Sequence, residues 1–149
     1  KEGCALAQVN VATFYAHYSD CFALMESIEQ ELLEAFGQSL RLIDGFDVSA
    51  LIAALYTMVE QHGDACRVLI FGGASPSVLG RMIDLARPSS IAAWKHQLHH
   101  ASDAELEMLY THLSNGLMNV VVSGYDKYSR EEVISFVNHI VKSSLSLFQ

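Results

Sequence analysis

A chain of 149 residues with nine Lys and Arg against 17 Asp and Glu carries a formal net charge of −8. That balance excludes a surface basic throughout and confines any nucleic-acid contact to a local patch. Hydrophobic residues make up 51% of the chain, charged residues 17%, and the mean hydropathy is +0.23, which excludes a disordered chain and suits one compact domain with an ample core. So large an apolar share points further, to a partner interface or an apolar cavity. Cys4, Cys21 and Cys66 are odd in number and sit at no metal-like spacing, which points away from a disulfide framework and towards a reducing compartment. No apolar run approaches the roughly 20 residues that cross a bilayer and no secretory leader pattern is present, so no membrane association and a cytoplasmic location are expected. The chain opens on Lys1 in residues already helix-like, which leads us to expect a segment upstream.

The first 20 residues read as two short helices. Leu6 and Ala7 are buried on the first, the chain turns at Gln8-Val9, and Asn10 caps the second. Val9 and Phe14 anchor that second helix to the body, and Thr13, Tyr15 and His17 crowd hydrogen-bonding groups onto a nearly uncharged segment. From 22 to 43, Leu24, Ile28, Leu32, Ala35, Phe36, Leu40 and Ile43 keep helical spacing. Ser19-Asp20 supplies a cap there, and Glu26, Glu29, Glu31 and Glu34 form a solvated acidic face. The next helix starts from Asp47 as cap, aligns Leu51, Ile52, Leu55 and Val59, and bends near Gly63 before Val68 to Phe71. Gly72-Gly73 form a loop and not a phosphate cradle, because no strand precedes them and no Lys-Ser/Thr follows.

Ser75-Pro76 opens a helix through Val78, Leu79, Met82, Ile83 and Leu85, which Pro88 should kink or interrupt before Ile91 to Leu98 resumes it. The last two helices begin at capping boxes, Ser102 with Glu105 and Ser129 with Glu132. The first runs to about Tyr125 with Leu106, Leu109, Leu113, Leu117, Val120 and Val121 on one face. The second runs to Phe148 and is apolar on two stripes. Val133, Phe136, Ile140 and Leu147 form one; Ile134, Val137, Val141, Leu145 and Phe148 form the other. One stripe packs on the body, and a second needs another surface, such as a two-fold partner's helix pair. The fold class is all-α.

The run Val9-Asn10-Val11-Ala12-Thr13-Phe14-Tyr15-Ala16-His17-Tyr18-Ser19-Asp20, followed by Leu24, strongly resembles the helix-turn-helix of the tetracycline-repressor family. There, a Thr-Phe-Tyr-x-His-Phe/Tyr-x-Asp string ends the recognition helix and enters a long connecting helix. The segment from Leu113-Ser114-Asn115-Gly116-Leu117 to Ser129-Arg130-Glu131-Glu132 also resembles the effector-domain ending of members, although it lacks their tryptophan near Gly124. The resemblance implies a partial helix-turn-helix DNA-binding region over 1–22, a connecting helix over 22–43, and an effector-binding and dimerisation domain over 45–149.

It also implies that Asn10, Val11, Ala12 and Thr13 face base edges or nearby phosphates, with Tyr15 and His17 on phosphates. Cys21 stands where members commonly carry a phosphate-binding Lys, and the recognition segment holds no Arg or Lys for bidentate guanine readout. The family's first helix would precede Lys1, so this chain alone is expected to bind operator DNA poorly.

A small-molecule cavity is implied within about 45 to 125. Its candidate lining is Phe36, Tyr56, Met58, Met82, Trp94, Met108 and Tyr110, which suits a mainly apolar effector. The homodimer interface is expected at Leu113, Leu117, Val121, Ile134, Val137, Val141, Leu145 and Phe148. His96 and His100 have a metal-capable spacing, but with His99 and His112 they read as a solvated helix end, so no metal or other cofactor is expected. No Ser or Cys stands in a recognisable nucleophile motif, and an enzyme is not expected. The sequence thus reads as a ligand-responsive transcriptional regulator, a repressor. The alternative is a helical small-molecule-binding or interaction module with no DNA role.

Overall fold

The computed structural model describes residues 11–42, 46–71 and 77–149. Asn10 lies outside the described residues, and so do the side chains of Val11, Ala12, Thr13, Tyr15 and His17. The same holds for Gly72-Gly73 and the Ser75-Pro76 start signal. What is described is all-α, with no strand: α1 (Val11–Ser39), a 3-10 turn (Leu40–Leu42), α2 (Ser49–Phe71), α3 (Ser77–Gln97), α4 (Asp103–Gly124) and α5 (Arg130–Ser146).

Helix α1 runs 29 residues and passes through Ser19 and Asp20, where a cap was expected. No Gly or Pro interrupts the chain from Val11 to Phe36, so nothing local stops the ladder at Ser19. The expected short helix and connecting helix are therefore one element over the described residues. Cys21 on α1 is disulfide-bonded, where cysteine count and spacing pointed away from disulfides. Sequence spacing does not report which sulfurs meet in space.

Asp47 starts α2 by accepting the Ser49 amide on Oδ1 at 2.8 Å. Gly63 breaks its helical geometry at φ 54° and ψ −131°, the position of the expected bend. Helix α3 continues through Pro88, so the proline does not interrupt it. The proline removes the amide that would bond the Asp84 carbonyl, but both residues are exposed, so water can serve that carbonyl. Both capping boxes form. Ser102 Oγ accepts from Glu105 N at 3.2 Å while Ser102 N donates to Glu105 Oε2 at 2.8 Å. The matching distances at Ser129 and Glu132 are 3.1 and 2.8 Å.

Helix α1 packs on α2 and α3, α3 on α4, α2 on α5, and α4 on α5. The buried side chains described are all apolar or aromatic, with Leu32, Val78, Met82, Leu106 and Leu145 the most enclosed. Ion pairs tie the outside of the bundle: Arg81 to Glu29 at 2.7 Å, Arg130 to Glu60 at 2.8 Å and Arg67 to Asp126 at 2.6 Å. No helix among the described residues is long and apolar enough to cross a membrane.

Candidate ligand cavity

Between the five helices lies a cavity of about 310 Å³. Phe36 reaches it from α1, Ile52 from α2, Met82 and Trp94 from α3, Tyr110 from α4 and Val137 from α5. Leu40, Phe46 and Val48 line it at the junction of α1 and α2. That junction is held by Asn138 of α5. Its Oδ1 accepts the Val48 amide at 3.0 Å, and its Nδ2 donates to Ser49 Oγ at 2.6 Å and Asp47 Oδ1 at 3.3 Å. The Ser49 bonds hold the Asp47 carboxyl below its usual range.

The polar groups on the wall differ in how they are satisfied. The Tyr110 hydroxyl donates to the Ile83 carbonyl at 2.5 Å, and the Trp94 ring lies 5.8 Å from the Tyr110 ring. Arg87 sits 4.9 Å from the Tyr110 ring centroid and pairs with Glu107 at 2.8 Å. Burial pushes the Tyr110 phenol up to about 12, against the opposing charge of Arg87. Ser89 Oγ donates to the Ala86 carbonyl at 3.3 Å. Ser114 Oγ is buried and has no hydrogen-bond partner among the described residues of the protein. No Asp, Glu, Lys, Arg or His lines the cavity among the described residues.

Of the seven expected lining residues, Phe36, Met82, Trp94 and Tyr110 meet at this cavity. Tyr56 lines a smaller pocket beside it, its ring 5.0 Å from that of Tyr125 and its hydroxyl buried without a partner. Met58 is buried in the core but lines neither pocket, and Met108 is 64% exposed. Met108 lies two residues from buried Leu106, which turns it to the far side of α4.

The expected dimer residues need a larger correction. Leu113, Leu117, Val121, Val137 and Val141 line the cavity, and Leu145 is fully buried in the core. Ile134 and Phe148 pack partly buried against that core. On α5 the line Val133, Val137, Val141 and Leu145 faces inward, while Phe136 is 48% and Leu147 79% exposed. Periodicity finds both stripes; it does not say which one the protein's own helices cover.

Ser114 and Asn138 were missed. The available signal for Ser114 was its place four residues after Tyr110, a hydroxyl beside Leu113 and Leu117 on an inward face. Asn138 gave none, since its partners lie some 90 positions away. His96, His99, His100 and His112 are exposed, and no group of three His, Cys, Asp or Glu among the described residues could hold a metal ion. No protein-family model, curated protein or solved structure matches the chain.

Proposed function

We propose that this chain is the effector-binding body of a DNA-binding transcriptional regulator of tetracycline-repressor type, a homodimeric repressor released from its operator by a small, mainly apolar molecule. The observation that carries the reading is the cavity, whose wall includes Phe36 of α1 and Leu40 of the 3-10 turn that follows it; α1 is the helix that contains the Thr13-to-Asp20 motif. A ligand that prefers one setting of α1 over another changes DNA affinity through that difference in binding alone. The contacts to operator DNA are assigned to Asn10, Val11, Ala12, Thr13, Tyr15 and His17 by the resemblance of their motif.

A second reading is a helical small-molecule-binding module with no DNA role. It draws on the net charge of −8 and on the pairing of Arg67, Arg81, Arg87, Lys95 and Arg130 with carboxylates, which leaves the body poorly suited to phosphates.

Selection from a pool of random duplexes separates the two, using protein expressed from the whole open reading frame that contains this chain. The regulator enriches duplexes with two related half-sites, spaced by about one helical turn or a multiple of it. Recovery of an unenriched pool overturns the regulator and leaves the binding module.

A further inference from the structure

Resting on the reading of the cavity as a ligand site, we propose that its ligand is electrically neutral and carries a hydroxyl or carbonyl group that pairs with Ser114 Oγ. Three observations converge on this chemistry. The volume of about 310 Å³ is roughly ten times a water molecule's share of the liquid, which accommodates an organic body of about ten non-hydrogen atoms. Among the described residues the lining carries no ionisable carboxylate, amine, guanidinium or imidazole, so a charged ligand would lose hydration with no opposite charge there to meet. Arg87, which lies over the ring of the wall residue Tyr110, is already paired with Glu107.

The position of the polar contact follows from the hydroxyls. Of the wall's other hydroxyls, Tyr110 donates to the Ile83 carbonyl, Ser89 donates to the Ala86 carbonyl, and that of Ser90 belongs to a residue that is only half-buried. Ser114 Oγ, buried on the same wall, has a donor and an acceptor uncommitted. A serine inside a helix ordinarily can turn its hydroxyl back to the carbonyl four residues earlier, as Ser39 and Ser123 do here; Ser114 does not. No protein group pairs with the Ser114 hydroxyl, so its hydrogen bond is open to whatever fills the cavity, and a ligand hydroxyl or carbonyl placed there gains a bond that an apolar ligand does not.

p-Cymene and thymol test the anchor, because they share a carbon skeleton and differ by one hydroxyl; 4-isopropylbenzoate and 4-isopropylbenzylammonium test the charge. Trp94, the chain's single tryptophan, lies on the wall and reports occupancy by fluorescence, with calorimetry as a second readout. The expected result is thymol tighter than p-cymene by about five-fold, the size of one neutral hydrogen bond. Ser114→Ala should erase that difference, leave p-cymene unchanged, and melt no lower than the parent. Both charged analogues should bind at least about a hundred-fold more weakly than thymol. Equal binding of thymol and p-cymene, or a preference that survives S114A, overturns the anchor while the ligand cavity stands. A charged analogue that matches thymol overturns neutrality. Silence from Trp94 and the calorimeter with every probe overturns the cavity reading together with this one.

Discussion

Tyr110 shows how a single side chain can be both wall and strut. Its ring faces the cavity, and its hydroxyl crosses from α4 to the Ile83 carbonyl of α3. Burial makes the phenolate costly, so the folded state holds its proton to about pH 12, whereas the unfolded chain releases it near the ordinary value of 10. The folded state therefore binds more protons between those values, and its stability falls as pH rises through that window. Below pH 10 the contribution is fully present. Urea unfolding across pH 8 to 12 should show this alkaline decline, made shallower by Tyr110→Phe; some slope should persist because burial also raises Tyr56. At neutral pH, Y110F should cost about 1 kcal/mol, the usual worth of one neutral hydrogen bond. An unchanged alkaline slope in Y110F would remove Tyr110 as its source. The aromatic and sulfur residues at the cavity were legible in the sequence because they stand on inward stripes. Their polar neighbour Ser114 was not, since a hydroxyl on a helix normally satisfies itself locally.

Elements were legible where local chemistry alone decides them. Ser102 with Glu105 and Ser129 with Glu132 cap the helices they announce, because a capping box needs only residues three apart. Pro88 does not interrupt α3, for the opposite reason: whether a proline breaks a helix depends on what surrounds the carbonyl it strands, and here that site is exposed. The two faces of α5 were equally apolar in sequence, so only the tertiary packing could choose between them. Gly63 combines both lessons, a bend visible in the sequence whose φ of 54° demands glycine. A Cβ there would meet nothing within 4 Å, so the penalty of Gly63→Ala comes from the backbone alone. We expect G63A to lower stability by about 1–3 kcal/mol. Gly80→Ala, also with open space but inside regular α3, should raise it by about 0.5–1 kcal/mol. Chemical denaturation of the two variants measures opposite signs for one chemical change. A G63A chain as stable as the parent would mean that residues 62–64 can adopt another geometry.

For the whole molecule, the apolar excess of the composition divides between a cavity among the helices and an outer stripe. The five helices line the cavity with residues first expected at a dimer seam, Val137 and Val141 among them. Charge at those positions is therefore a test of folding and not of assembly: Val141→Asp would place a carboxylate in an apolar wall and should cost several kcal/mol. A homodimer, if it forms as proposed, must use groups that the protein's own helices leave uncovered. Phe136 on α5 and Leu147, which caps its C-terminal end about three turns later, are the large apolar side chains most exposed there. Phe136→Glu and Leu147→Glu alter exposed positions, so each should leave monomer stability within about 0.5 kcal/mol. In sedimentation at micromolar concentration, the parent should run at twice the chain mass of 16.4 kDa and the double variant at the chain mass. Thermal unfolding of the double variant at a concentration where the parent is dissociated should match the parent, which separates lost association from lost folding. A parent that sediments as a monomer ends the homodimer. A double variant that still sediments as a dimer moves the seam off the outer face of α5, to surfaces that α4 or the N-terminal region would have to supply.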